Sequence, residues 1–252
     1  GFGPRAPDGV VSFDDLLDGE ALDPVPSIES ARALPPGPSA HLAVVTWDVT
    51  TEGLVPIGRS HAELTAGGLA VMLESGLAQD AVVLSTITLS SFAGLAVSLL
   101  PWLLTGGTLA LHHPFDPATF AAQCAAAQPD TVIVPGVLVE QFAEAGHLSG
   151  QGSIKSVVSV WRAPERLARA PRWPHPAVSM TDVQLFGEIG LVAARRGPAS
   201  VPSAVSFGPV PAPRDKQGAL IVAEIRRTDR GTVALSGPMV PRFPFPPGVE
   251  RT

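Results

Sequence analysis

Cysteine is nearly absent from this sequence: Cys124 is the single one. One thiol makes no internal disulfide and leaves no cysteine-based zinc site, so a reducing, cytoplasmic compartment is the expectation. Its setting, AAQCAAAQ, reads as a small helical filler rather than as a nucleophile. Charge is also scarce. Charged side chains make up 16% of the chain against 45% apolar ones, and the mean hydropathy is +0.27, which excludes disorder for most of its length. Seventeen basic and 23 acidic residues leave a net charge of −6 with no lysine or arginine run, an unfavourable field for nucleic acid or an anionic membrane surface. The most apolar stretch, Leu89 to Leu104, is interrupted by Ser90, Ser91, Ser98 and Pro101. It is shorter than the roughly 20 residues of a bilayer span and is expected to be a buried helix. The N-terminal GFGPRAPDG has no charged n-region and no apolar h-region, which again favours the cytoplasm.

What is abundant is glycine (25) and proline (27), so turns are many and sharp. Proline crowds residues 24–38 and 198–213, the candidate linkers, and the 252 residues divide accordingly. Residues 1–40 hold a short helix at Ser12 to Asp18, capped by Ser12, and a Pro-rich lead-in. Residues 41–197 alternate apolar runs of strand length with helical segments. LAVVTW is a strand, Asp48 to Arg59 a polar loop, and Ser60 caps a helix through Leu73; AVVLSTI, the helix FAGLAVSLLPWLL, TLALHH, a helix begun by Asp116, TVIV, a helix from Val137 to Ala145 and IKSVVSVW continue the pattern. Parallel neighbours need a crossover long enough for a helix, so the fold class is α/β, a mostly parallel sheet flanked by helices. Residues 198–252 carry the strand-like VPSAVSF, ALIVAEIR and GTVALSG with no helical stretch, a small C-terminal β appendage.

Ligands of an open α/β sheet bind at the carboxyl ends of its strands, which directs attention to the loops after Trp47, Ile87, His113, Val134 and Trp161. The loop after Trp47 holds Thr50, Thr51 and Gly53, whose hydroxyls and N–H groups could cradle a phosphate, or it is an ordinary loop; it carries Glu52 and no cation before Arg59. His61 falls in the first turn of the next helix and reads as a cap-region residue. His112 and His113 are neighbours on a strand and point to opposite faces, so they do not chelate one metal. No G-x-S-x-G elbow occurs, and Ser90 and Ser91 read as helix caps. QLFGEIG, after a weak strand at AVSMTDV, places an aromatic, a glycine and a carboxylate together; Glu188 either holds Mg²⁺ on a nucleotide phosphate or is a solvated turn residue.

Taken together, these segments resemble, in order, the large N-terminal domain of the adenylate-forming superfamily, which includes the acyl-CoA synthetases (AMP-dependent synthetase-ligases). SFDDLLDG, the Pro-rich stretch and LAVVTW resemble the lead-in to its signature loop, T-S-G-T-T-G-x-P-K-G followed by V-V-x-S-H, to which Thr50, Thr51, Ser60 and His61 fit. SSFAGLAVSLLPWLLTGGTLALHHPFDPATF and TVIVPGVLVEQF are similar to the middle of that domain. FGEIG stands where Y-G-x-T-E-x-G is usual, and FGPVPAP and GTVALSGPMV resemble its later strands. The resemblance implies ligase ancestry: ATP or AMP with Mg²⁺ as cofactors, CoA or a carrier as acceptor, Thr50 and Thr51 at phosphate, Phe186 and Gly187 beside adenine, and Glu188 as the metal-holding, catalytic carboxylate. Departures from the pattern imply that carboxylate activation is impaired or lost. Trp47, Asp48, Val49, Glu52 and Val55 stand among the usual glycines, serine and lysine, and the two lysines, Lys155 and Lys216, lie outside the loop. Compared with the family, the segment before the signature loop, the T-G-D segment and the C-terminal lid are missing from these residues. The alternative is a non-catalytic scaffold, a pseudoenzyme that keeps an apolar pocket near Ser91 to Gly94 and Pro135 to Val137 for a small carboxylate or acyl ligand, or that docks a partner protein. A truncated domain is also expected to expose an apolar face and to self-associate or recruit a partner.

Overall fold

A computed structural model describes residues 41–242 apart from 52, 149–151, 198, 204 and 215. The helix expected at Ser12 to Asp18 and the Pro-rich lead-in lie outside the described residues. The first described element is an antiparallel hairpin, β1 (Leu42–Thr50) and β2 (Gly53–Ser60), and α1 (His61–Ser75) follows directly. Ser60 and Glu63 form a reciprocal capping box at its start, and Gly76 closes it in the left-handed conformation. Six strands then make the main sheet in the order β4 (Thr108–Leu111), β3 (Val82–Ser85), β5 (Thr131–Pro135), β6 (Ser156–Trp161), β7 (Ser179–Phe186), β8 (Gly190–Arg195). All neighbours are parallel except β8, which returns antiparallel to β7 through the Gly187–Ile189 turn. The mostly parallel α/β sheet read from the sequence is the observed one.

The crossovers are helical, as parallel pairing requires. Between β3 and β4 the chain runs α2 (Phe92–Gly94), a π-helical segment Leu95–Leu99 and α3 (Leu100–Thr105). The π segment precedes Pro101, which has no N–H to donate, and the N–H of Leu100 reaches back to the Leu95 carbonyl. Helices α4 (Pro117–Ala127, capped by Asp116) and α5 (Val139–Glu144, after a 3₁₀ turn at Gly136–Leu138) link β4 to β5 and β5 to β6, and a short α6 (Pro164–Leu167) follows β6. Side chains alternate across the sheet, so Ile133, Val158, Val183 and Leu185 join one apolar cluster with Val71, Phe92 and Val97, while Val132, Val134, Val157 and Met180 join another with Phe120, Phe142 and Trp173. The three-stranded antiparallel sheet, β9 (Gly208–Ala212), β10 (Leu220–Arg227) and β11 (Val233–Ser236), adds Val210, Val222 and Ile225 to the first cluster.

Four expectations are corrected. Asp48 to Thr50 and Gly53 to Arg59 are strand rather than loop, because β-branched Val49, Thr50, Val55 and Ile57 suit a pleated ladder that runs to the Thr50–Gly53 pair. The Leu89 to Leu104 stretch buries only one side: Phe92, Ala93, Ala96 and Val97 face the core, while Leu103 and Leu104 are exposed. The strand at AVSMTDV is not weak, since β7 is paired on both edges and buried from Met180 to Leu185. VPSAVSF is not a strand where described; β9 begins at Gly208, and its Pro209 and Pro211 are tolerated on the outer edge of the small sheet.

Candidate functional site

The hairpin that holds the signature-like residues packs its flank, not its tip, against the β7–β8 turn. Thr50 and Thr51 sit at the tip and are exposed, with the Thr50 hydroxyl donating to the Gly53 carbonyl at 3.0 Å. Gly53 takes φ +115° to make so tight a return, a conformation that favours glycine. Glu52 lies outside the described residues. Asp48, two residues before Thr50, points at the turn: a Cβ on Gly187 would lie 2.6 Å from an Asp48 carboxylate oxygen. Gly187 also has φ +55°, so an L-side chain there is doubly disfavoured.

Glu188 follows, and it is buried rather than solvated, at 3% exposure. One carboxylate oxygen accepts the N–H of Phe92 at 2.6 Å, and the other lies 3.8 Å from an Nη of Arg162, whose side chain is 62% exposed. The Glu188 main-chain carbonyl accepts from Arg59. Arg59 is itself fully buried, stacked 3.6 Å from the Phe92 ring centroid and donating to the Met239 carbonyl at 2.5 Å. Burial lowers its pKa to about 10, against the opposing pull of Glu63 and Glu188. A polar cleft of about 440 Å³ lies here, lined by Trp47, Asp48, Ser90, Ser91, Arg162 and Glu188 together with Val49, Thr88 and Gly187.

Thr88, Ser91 and Arg162 also line an adjoining cleft of about 490 Å³ at the carboxyl ends of β3, β5 and β6, the position where an open α/β sheet takes its ligands. Ile87, Ala93, Pro135, Val137, Val160 and Leu185 form its apolar wall, while Arg162, Glu165 and Arg166 bring charge to its rim. The structure thus brings the Ser91 to Gly94 and Pro135 to Val137 segments onto one cavity. It gathers Gly187 and Glu188 around the polar cleft, with Phe186 half-buried at the end of β7, and leaves Thr50 and Thr51 outside the lining of both.

Arg59 and Arg162 were missed by sequence reasoning. Arg162 had a signal, being the first residue after the strand ending at Trp161. Arg59 had none, because an arginine before a helix cap reads as a surface residue. The histidines are structural or peripheral. His112 is buried, with Nδ1 2.8 Å from Gln123 Oε1 and Nε2 accepting the Asp116 N–H at 3.0 Å; His61 is exposed; His113 lines the apolar cleft. Among the described residues no group of three or more His, Cys, Asp or Glu side chains could hold a metal ion. Cys124 is half-buried on α4, and desolvation raises its pKa.

No family model matches the sequence, and no curated protein does. Solved structures do match. The o-succinylbenzoate CoA synthetase MenE from Bacillus subtilis superposes with TM-score 0.59 at 15% identity, over 82% of this chain and 43% of that one. MatB from Rhodopseudomonas palustris gives 0.62 at 16% identity, over 82% and 42%. The N-terminal subdomain of NpsA from Klebsiella oxytoca, solved with 3-hydroxybenzoyl-AMSN, gives 0.57 at 18% identity, over 83% and 55%. The fold is that of part of the adenylate-forming large domain. The resemblance noted in the sequence is therefore borne out as a fold, and the chain spans about half the length of these proteins or less. MenE has been solved with ATP and magnesium and with AMP, and MatB with ATP.

Proposed function

We propose that this chain is a non-catalytic relative of the acyl-CoA synthetases, in which carboxylate activation by ATP is lost and binding of a small carboxylate or acyl ligand in the apolar cleft is kept. The observation that carries the reading is the hairpin. Where the family resemblance calls for an open, glycine-rich, lysine-bearing phosphate loop, the backbone is consumed by a cross-strand ladder down to the Thr50–Gly53 pair. The adjacent charge is an aspartate aimed at Gly187, a poor neighbour for triphosphate. Nor do the residues fit a nucleotide-bound magnesium ion. The Glu188 carboxylate is turned inward, one oxygen on the Phe92 N–H and the other toward the Arg162 guanidinium. The apolar cleft, by contrast, has a volume ordinary for a small-molecule site, and Arg162 at its junction with the polar cleft suits a carboxylate.

A second reading keeps the ligase activity. It is favoured by the convergence of Asp48, Gly187 and Glu188 on one polar cleft. In it Thr50 and Thr51 meet phosphate, Phe186 and Gly187 flank adenine, Glu188 holds Mg²⁺, CoA is the acceptor, and the missing lysine comes from another segment or a partner. The exposed Trp47, Val49 and Leu54 on the hairpin offer a surface for such a partner or a second copy. A cytoplasmic location accords with the single thiol, and among the described residues no helix is long and apolar enough to cross a membrane.

Calorimetric titration decides between the two. Mg·ATP and AMP are expected to give no heat, and a panel of aliphatic and aromatic carboxylates is expected to include binders that Arg162→Ala weakens. Nucleotide binding tighter than about 100 µM, weakened by Glu188→Gln, would restore the ligase reading.

A further inference from the structure

A further cleft, of about 590 Å³, lies beside the face of the main sheet that packs against α5 and Trp173. One wall is α5, with Val139, Glu140, Ala143 and Glu144; the facing wall is the segment after α6, with Arg169, Arg172, Trp173 and His175. The floor is Gly136 and Trp161, packed so closely that a Cβ on Gly136 would lie 2.1 Å from the indole. This cleft meets the apolar cleft described above at Val137, Trp161 and Arg166, which line both.

Its walls are held by a buried polar network. Asp182 lies in the interior of β7 at 2% exposure. Its carboxylate accepts the Ser159 hydroxyl at 2.6 Å and the Trp161 indole N–H at 3.2 Å, and it takes a two-pronged hydrogen bond from Arg196 at 2.8 and 3.0 Å. Arg196 in turn donates to the Pro171 carbonyl at 2.9 Å, and the Trp173 indole donates to the Val178 carbonyl at 2.8 Å. Burying such a pair against the sheet is costly and brings little net stability over apolar side chains. What this pair does is fix the floor indole and the arginine-bearing segment in place, the preorganisation that a binding site needs.

The charges define the ligand. Arg196 is neutralised by Asp182, whereas Arg166, Arg169 and Arg172 have no carboxylate within ion-pair distance among the described residues. Three guanidiniums face the two carboxylates Glu140 and Glu144, so the arginine and glutamate side chains that line the cleft leave it net positive. Two tryptophans and the aliphatic wall suit a flat apolar body, and guanidinium pairs best with a carboxylate in two-pronged geometry.

We propose that this cleft is a second ligand site, one that takes an aromatic monocarboxylate with its ring toward Trp161 and Trp173 and its acid on Arg169 and Arg172. The site adjoins the carboxylate-binding cleft of the proposed function and shares Val137, Trp161 and Arg166 with it, but Arg169 and Arg172 line this cleft and not the other. The probe is 2-naphthoate, with neutral 2-naphthamide as its control, followed by tryptophan fluorescence and calorimetry on the full chain. Wild type is expected to bind 2-naphthoate and to bind the amide about tenfold or more weakly, since a charged hydrogen bond is lost. The exposed pair Arg169→Ala/Arg172→Ala is expected to weaken 2-naphthoate about tenfold and leave the amide unchanged, while Glu144→Gln tightens the acid and Arg162→Ala, in the other cleft, has no effect. Three results would each overturn the proposal: no binding by wild type at about 1 mM, equal affinity for acid and amide, or loss of binding in Arg162→Ala with retention in the double variant.

Discussion

Glu188 accepts the backbone N–H of Phe92 at 2.6 Å, across 96 positions of sequence, and Arg59 completes the arrangement by stacking on the Phe92 ring and donating to the Glu188 carbonyl. Phe92 is the first residue of α2, so its N–H has no helical partner of its own and the carboxylate supplies one. The contact joins the β7–β8 turn, the start of α2 and the end of β2. Glu188→Ala strips the acceptor from a buried N–H and a counter-charge from a buried arginine, and is expected to cost about 3 kcal/mol in urea unfolding. Glu188→Gln keeps an oxygen of the same reach and should lose less. A change below about 0.5 kcal/mol for the alanine variant would mean that the residue behaves as a solvated turn glutamate.

Arg59 makes stability pH-dependent in the alkaline range. Its folded pKa, about 10, lies below the ordinary guanidinium value, chiefly through burial. Between the two values the unfolded chain binds more protons than the folded one, so this group's contribution to stability rises with pH above about 10. Below that pH the guanidinium is charged in both states and its desolvation cost is constant. Arg59→Met removes the titration. Urea midpoints of wild type and variant measured at pH 8, 9, 10 and 11 are therefore expected to keep a constant difference at first and then to shift in favour of wild type. A difference that stays flat to pH 11 would contradict the assignment.

Gly136 lets Trp161 form a wall shared by the apolar cleft and the arginine-lined cleft. Its missing Cβ is the space in which the indole lies, with three ring atoms at 2.1 to 2.7 Å from where that carbon would be. Gly136→Ala must push the ring away from Ser159 and Asp182, both of which its N–H reaches. The expected result is a cost of about 2 kcal/mol from overpacking, together with a shift in tryptophan emission and altered binding in both clefts. Gly146→Ala, which has open space around it but φ +77°, provides the comparison, with a stability loss and no change in either cleft.

Features closed within a few residues were legible in the sequence. Ser60, Ser91 and Asp116 cap the helices that they precede, and the alternation of apolar strands with helices yields the parallel sheet. What was not legible depends on partners far away in the chain. Glu188 reads in the sequence either as a metal-holding carboxylate or as a solvated turn residue, because the partners that bury it, Phe92 and Arg59, are 96 and 129 positions distant. The strand holding Asp182 reads as weak because the charge of that residue is answered only by Ser159 on another strand and by Arg196 beyond β8. The hairpin reads as a loop because the stretch from Asp48 to Arg59 is polar and Thr50 and Thr51 fit a loop motif, while cross-strand pairing from Leu42 to Ser60 decides the backbone.

Cys124 should be a sluggish thiol. Burial raises its pKa, which lowers the thiolate fraction at neutral pH, and half of the side chain packs on the cluster around Phe120 and Phe142. Reaction with a disulfide reagent at pH 8 is expected to be several-fold slower in the native chain than in urea, and Cys124→Ala should leave ligand binding unchanged. Native and denatured rates that coincide would remove the case for Cys124 as a packing residue.

Asp182 and Arg196 should be strongly coupled. Asp182→Asn keeps an acceptor for Ser159 and Trp161 but leaves the Arg196 guanidinium, 4% exposed at its side chain, without a counter-charge. Arg196→Met leaves the carboxylate buried beside Ser159 and releases the Pro171 carbonyl. Each single change is expected to cost about 3 kcal/mol, because one partner of a buried pair is stranded. Asp182→Asn with Arg196→Met strands neither charge, so the double variant should cost clearly less than the sum, with a coupling above about 1 kcal/mol. Its refolded chain should still have lost the Arg196 tie to Pro171, and with it the ordering of the arginine-bearing wall. Stability restored while 2-naphthoate binding remains weak would separate the network's role in positioning that wall from its role in holding the sheet together; additive costs would show that the two side chains act independently.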